Sequence, residues 1–208
     1  MIFAVQRRHI LVAPPDEADL GWIFDQIDLE EIWRAFGYTG PGGDRLRRAL
    51  SSGNVECGVV RRDDGRHIGF SCLFPPTDEL LFWEYVYAIP SALDRDAFSA
   101  IHANDAMCFY AFEWLHVQAI GGRIYPENAA ARAIVKRMGF TRHESAEAAR
   151  LGCEIYVLDG EQWSRRRAKL EQGEHDRPSG LGAAFLRITG PPFVPRRAAS
   201  SLPRQVRA

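Results

Sequence analysis

The sequence has little cysteine, no long apolar run and almost no excess of charge of either sign. Four cysteines occur in 208 residues, none in a C-x-x-C pair or at the His spacing of a zinc site. We therefore expect buried, reduced thiols and no bound metal.

The longest strongly apolar stretch, residues 107–115, is interrupted by Glu113 and is far below the roughly 20 residues of a membrane span. Pro14 and Pro15 break the N-terminal apolar run, so we expect no secretory signal, no membrane contact and a cytoplasmic protein.

Composition indicates one folded domain followed by a basic tail. With 46% hydrophobic and 25% charged residues, the chain is ordinary for a globular protein. The net charge of −1 conceals an asymmetry, because residues 164–208 hold ten Lys and Arg against three Asp and Glu, which is +7, and the rest holds −8. We predict a domain over 1–163 and a Pro-, Gly- and Arg-rich tail over 164–208 that contacts an acidic surface or links two copies in a homodimer. We expect no nucleic acid partner.

The order of predicted elements indicates a mixed layer fold. Strands are predicted over residues 9–13, 54–62, 66–74, 80–89, 116–124 and 153–160, and helices over 16–27, 29–36, 96–115 and 129–138. Asp63-Asp64-Gly65, between two β-rich runs, predicts a hairpin. We therefore expect an α+β fold, in which helices cover both faces of a mixed, mostly antiparallel, twisted sheet.

One segment carries a family resemblance. Asn128 opens a predicted helix, and Gly139 and Phe140 follow it by eleven and twelve residues. The same residues also suit an N-cap, a C-cap glycine and a core aromatic. The segment over 126–140 resembles a motif of the GNAT superfamily of N-acetyltransferases, and the N-terminal segment over 7–20 resembles the branch that acetylates ribosomal-protein N-termini. The resemblance covers roughly residues 7–160.

The resemblance implies a GNAT-like fold and transfer of an acyl group from acetyl-CoA to a primary amine of a small molecule or a protein. In that fold the strand over 80–89 separates from the next strand, and its backbone binds the pantetheine arm of the donor. The positions concerned here would be Tyr85, Val86 and Ala88, with Asn128 binding the donor or holding the strands apart.

The family's pyrophosphate loop aligns with residues 95–100, with a departure. Arg95 and Ser99 would hold the pyrophosphate at the helix N-terminus. Phe98 stands where the family has a central glycine, and Asp96 adds a negative charge beside it. This part of the donor site is therefore predicted to be degenerate.

Catalysis would need a base for the amine and an acid for the departing thiolate. Glu84, on an otherwise apolar strand, is the predicted base, although it could instead point into solvent or pair with an arginine. The tyrosine that family members place seven residues after the helix-opening Asn is Val135 here. Tyr87, with Tyr125 as a further candidate, is the predicted acid, unless these rings only pack in the core.

The departures leave two alternatives open beside the acyl-CoA-dependent enzyme. The protein could be a catalytically inactive GNAT-fold binding or regulatory module. It could also take its acyl group from a carrier-protein pantetheine, which has no nucleotide pyrophosphate to hold.

Overall fold

The computed structural model describes residues 5–7, 10–36, 43–78, 80–95, 97–172 and 187–188. The strands are β1 Val5–Arg7, β2 Ile10–Ala13, β3 Glu56–Arg62, β4 His67–Phe74, β5 Trp83–Ala88, β6 Ala119–Ile124, β7 Thr141–His143, β8 Glu154–Asp159 and β9 Arg187–Ile188. The helices are α1 Glu17–Ile27, α2 Glu30–Ala35, α3 Gly43–Ser51, α4 Ala97–Phe109, α5 Ala129–Met138, α6 Ala146–Leu151 and α7 Gly160–Glu171. A π-helical turn over 110–114 extends α4.

The described strands form one sheet in the order β7-β8-β6-β5-β4-β3-β2-β1-β9. All neighbours in it are antiparallel except β5 and β6. Val59 and Val60, adjacent on β3, belong to two different apolar clusters, because successive side chains on a strand point to opposite faces. Helices α4, α5 and α7 cover one face and α1 to α3 cover the other. After the ligands that the resemblance implies, we call the first the donor face and the second the acceptor face. The predicted fold class is confirmed.

Local signals in the sequence fix several of these elements. The predicted hairpin joins β3 and β4. Asn128 caps α5, its Oδ1 accepting from the Ala131 amide at 3.1 Å, and Gly139 ends the helix with φ +91°, a left-handed conformation that costs a glycine little.

All four cysteines are buried, as predicted. Among the described residues, no helix has the length and apolar character that crossing a bilayer requires.

Helix α7 is an integral part of the donor face. Trp163 stacks on Phe112 with ring centroids 5.7 Å apart and donates from Nε1 to Glu113 at 2.8 Å. Arg166, beyond the predicted domain boundary at 163, donates from Nε to Asp105 of α4 at 2.6 Å, and both side chains are almost fully buried. The helix therefore runs across that boundary. Apart from β9, the predicted tail after residue 172 lies outside the described residues.

Two buried carboxylates fasten the β3–β4 hairpin to its surroundings. Asp19 of α1 accepts from Arg61 and lies 2.6 Å from His67 Nε2. Burial alone would raise the pKa of Asp19, but hydrogen bonds from the Asp16 amide, His67 and Arg61 together hold it below its ordinary value. Asp94, just before α4, accepts from Arg66 at 2.8 Å. The start of α4 is thereby fixed relative to the sheet.

Candidate functional site

The sheet opens between its two parallel strands. Strands β5 and β6 pair only at Trp83 with Ile120 and at Glu84 with Gly121. Beyond that point β5 stays paired with β4 as far as Ala88, and β6 stays paired with β8 as far as Ile124. The two strands therefore diverge, and we call the opening between them the split.

The backbone of β5 faces the split without a partner strand. A Cβ on Gly122 would lie 3.0 Å from the Tyr85 carbonyl oxygen, so this carbonyl points toward β6 and the glycine permits the close approach. Backbone groups alternate along a strand, so those of Tyr87 point the same way, while those of Val86 face β4. These groups can pair with an extended, amide-containing chain lying in the split.

Two helix N-termini flank the split at the carboxyl ends of the strands. Helix α4 follows β5 and helix α5 follows β6, as in a βαβ unit. The first-turn amides of a helix lack intrahelical acceptors and carry partial positive charge. Ligands of open sheets bind at such a point, outside the carboxyl ends of parallel strands. The arrangement suits an anionic ligand with an extended arm.

The predicted pyrophosphate residues have other contacts. Arg95 donates from Nε to the Ile89 carbonyl at 2.8 Å, donates to the Pro90 carbonyl and pairs with Glu31 of α2 at 3.0 Å, so it braces the loop before α4. Ser99 is buried, which leaves its first-turn amide as the group it can offer. Phe98 is 46% exposed and does not fill the core. Asp96 lies outside the described residues.

Glu84 lies where the pairing of β5 with β6 ends. Its carboxylate forms an ion pair with an arginine. Arg123 of β6 donates from Nε to one carboxylate oxygen at 2.6 Å and from Nη2 to the other at 2.7 Å. The Glu84 side chain is 16% exposed and that of Arg123 is 25% exposed, so solvent reaches the pair. This is the arginine pairing that the sequence left open as the alternative to a catalytic base. Because solutes can reach the Glu84 carboxylate, it can be both a partner of Arg123 and a proton acceptor.

Arg123 is a site residue that sequence reasoning missed. It lies two residues after Gly121, on the same face of β6, and its strand is otherwise apolar. An isolated arginine on such a strand was the available signal. Next to the pair, Glu147 of α6 accepts from Arg150 at 2.9 and 2.7 Å. These hydrogen bonds, then the charge of Arg150 and last the charge of Arg123, lower the pKa of Glu147.

The candidate tyrosines and Asn128 occupy different places around the split. Tyr85 is buried in the donor-face core and its hydroxyl has no hydrogen-bond partner among the described residues. Burial raises the pKa of Tyr85 well above its ordinary value. Tyr87 and Val135 pack partly buried against the same core. Asn128 uses its Oδ1 for the cap of α5, and no described hydrogen bond involves its Nδ2. Tyr125 is partly buried just after β6.

Comparison with solved structures finds the same fold at low sequence identity. An acetyltransferase from Agrobacterium tumefaciens str. C58 is 17% identical with a TM-score of 0.61, over 74% of this chain and 93% of that one. Aminoglycoside acetyltransferase AAC(6')-Ib, in complex with ribostamycin and coenzyme A, is 15% identical with a TM-score of 0.64, over 76% and 98%. Spermidine N-acetyltransferase from Vibrio cholerae, in complex with CoA and spermine, is 14% identical with a TM-score of 0.61, over 75% and 98%.

The family assignment comes from the amino-acid sequence. None of the curated proteins compared matches it. The family model described as an acetyltransferase (GNAT) domain matches residues 9–141, a span that runs from just before β2 through the split and α5 to the start of β7. With more than half of its length matched, the chain belongs to the GNAT acetyltransferase family.

Proposed function

We propose that the protein transfers an acetyl group from acetyl-CoA to a primary amine of a small molecule. The observation that carries the proposal is the split, which presents an unpaired strand backbone between two helix N-termini. The solved relatives bound to coenzyme A support acetyl-CoA as the donor. Placement in the branch that acetylates ribosomal-protein N-termini would make the acceptor a protein amine instead.

The donor would lie along β5, with its thioester near the start of the split. The backbone of Tyr85 to Ala88 would pair with the pantetheine amides, and Asn128 Nδ2 would donate to the same arm. The pyrophosphate would rest on the first-turn amides of α4, including that of Ser99. Arg95 would join it only by giving up its contacts with the Ile89 and Pro90 carbonyls.

The chemistry requires that the amine lose a proton before or during attack. Its nitrogen attacks the thioester carbonyl carbon, the carbon–sulfur bond breaks, and the departing thiolate takes a proton. We assign the proton acceptor to Glu84, which lies at the start of the split on the acceptor face. Tyr87 is the proposed donor to the thiolate, a role that is not essential because a thiolate is a good leaving group.

The acceptor we favour is a cationic small amine. Two of the relatives that match in fold were solved with ribostamycin or spermine, which are both polycationic. In this chain Glu30 and Glu31, exposed at the start of α2, already pair with Arg34 and Arg95, so the preference for a cation rests on those relatives and on Glu84. Self-association through residues 164–208 and a cytoplasmic location remain predictions.

A thiol-release assay tests the proposal. Purified protein is mixed with acetyl-CoA and spermine, kanamycin, ribostamycin or a peptide with a free N-terminus, and products are identified by mass spectrometry. We expect one mono-acetylated amine and stoichiometric free coenzyme A. Failure with every amine, together with no binding of acetyl-CoA, would contradict the proposal.

Phe98, in the predicted pyrophosphate loop, is the one observation that favours an inactive binding protein or a carrier-protein donor. The comparisons do not favour either alternative. Calorimetric titration of acetyl-CoA into the native protein and a Phe98→Gly variant separates the cases. We expect both to bind, because Phe98 is half exposed and the α4 amides remain. Binding by Phe98→Gly alone would mean that the nucleotide site has been closed and would favour the alternatives.

A further inference from the structure

The pair formed by Glu84 and Arg123 continues the contact between β5 and β6 beyond the last backbone pairing. The final paired residues are Glu84 and Gly121, and Arg123 follows two residues later on the same face. Its guanidinium reaches back to hold both carboxylate oxygens. The side-chain pair therefore bridges the strands on the acceptor face, where the split begins.

This pair differs from the sealed ion pair of the donor face. Arg166 and Asp105 are 4% and 0% exposed, so exchange of that partner would require unfolding. Arg123 and Glu84 remain within reach of solvent, at 25% and 16%. A solute cation can therefore compete for Glu84 without disturbing the core.

Arg123 also has a second carboxylate within electrostatic range. Glu147 of α6 is only 14% exposed on its side chain, and its pKa is lowered first by hydrogen bonds from Arg150 and also by the charge of Arg123. Arg150 is 64% exposed. If Arg123 leaves Glu84 it does not become an isolated, buried cation, because its side chain is 25% exposed and the negative charge of Glu147 acts on it.

We infer that Arg123 is a positioning residue that holds Glu84 until a primary ammonium group takes its place. The inference rests on the proposed role of Glu84 as base. The ammonium of an arriving amine replaces the guanidinium on Glu84, and Arg123 turns away from the carboxylate toward the solvent that already reaches it. The exchange leaves Glu84 paired with one cation, brings the nitrogen against its proton acceptor and selects cationic amines with N–H groups.

Nitrogen-15 NMR of arginine side chains tests the exchange without requiring turnover. The Nε–H resonance of Arg123 is assigned by its loss in Arg123→Lys, with Arg142→Lys, on the edge strand β7, as the matched control. Propylammonium chloride is then titrated into the full chain, with tetramethylammonium chloride at equal ionic strength as a cation without N–H donors. We expect a saturable shift of the Arg123 signal with propylammonium only, abolished in Glu84→Gln.

An Arg123 signal that ignores propylammonium, or that responds equally to tetramethylammonium, would overturn the inference. The measurement is independent of acetyl-CoA. Failure of the proposed function would appear instead as absent acetyl-CoA binding with no acetylated amine, and failure of the Glu84 assignment as full activity in Glu84→Gln. The two failures are thus distinguishable.

Discussion

At the residue scale, proton transfer is assigned to a carboxylate, Glu84, that Arg123 holds. Glu84 is not a solvated side chain of an edge strand, because β5 lies inside the sheet and Arg123 holds both of its oxygens. The apolar strand around Glu84 marked it as unusual in the sequence. Its partner is 39 residues away along the chain, and no local pattern could identify it.

Replacing the proposed base should reduce turnover far more than it affects folding. Glu84→Gln keeps the shape of the side chain and removes the proton acceptor, so we expect kcat to fall by about 10²-fold or more. Glu161→Gln, on the exposed side of α7, should leave kcat unchanged. The measurement is steady-state thiol release with the amine that the thiol-release assay identifies. A kcat within a factor of two of the native value would remove Glu84 from the chemistry.

Asp19 should contribute stability that depends on pH. Asp19→Asn leaves Arg61 and His67 without their buried anion, and we expect a loss of about 2 to 4 kcal/mol in the free energy of unfolding at neutral pH. Because the folded pKa of Asp19 lies below its ordinary 3.8, its contribution is present above that value and declines as the pH falls through the folded pKa.

Urea unfolding at neutral pH and below pH 3.8 measures both effects, with the exposed Asp25→Asn as control. The difference in the free energy of unfolding between the native protein and Asp19→Asn should become smaller in acid. A difference that stays constant or grows would show that the Asp19 charge does not produce it.

At the element scale, the site is one βαβα unit inside an otherwise antiparallel sheet. Its caps and turns could be predicted because they depend on neighbouring residues, as at Asn128, Gly139 and the β3–β4 hairpin. The three-residue β1 and the six-residue α6 were missed because such short segments carry too little periodicity. Helices α3 and α7 were missed because charged residues make up about half of each. The contacts of Arg95 could not be predicted, since its acceptors are loop carbonyls and a glutamate of α2.

A side chain added at Gly122, where β6 borders the split, should weaken donor binding. The Cβ of Gly122→Ala would press on the Tyr85 carbonyl at 3.0 Å and shift the β5 backbone that we assign to the donor. We expect the Kd for acetyl-CoA to rise by roughly tenfold, which is about 1.4 kcal/mol. Gly21→Ala, where a Cβ meets nothing within 4 Å, is the control and should bind normally. Unchanged binding by Gly122→Ala in calorimetry would place the donor elsewhere.

The sealed pair between α4 and α7 should show strong coupling. Arg166→Met alone leaves Asp105 buried without its cation, and we expect a loss of about 3 to 5 kcal/mol. The double variant Asp105→Leu with Arg166→Met removes both charges and should recover most of that loss. Urea unfolding of the two single variants and the double variant measures the coupling. Additive losses would contradict the pair's assigned role in joining the helices.

At the scale of the whole molecule, the sheet consists of two antiparallel parts that meet at β5 and β6. Strands β1 to β5 and β9 form one part, and β6 to β8 form the other. Helices α4, α5 and α7 join the parts across the donor face, while Glu84 and Arg123 join them on the acceptor face. The split therefore lies where the two parts meet, bridged by helices on one face and by the Glu84–Arg123 ion pair on the other.

Amide hydrogen exchange at β5 tests most directly whether this split is the donor site. The Tyr87 amide faces the split, whereas the Val86 amide faces β4 and serves as an internal control. Saturating acetyl-CoA should slow exchange at Tyr87 and leave Val86 nearly unchanged, since only Tyr87 gains a hydrogen-bond acceptor. An unchanged Tyr87 rate in protein that calorimetry shows to be loaded with acetyl-CoA would contradict the account.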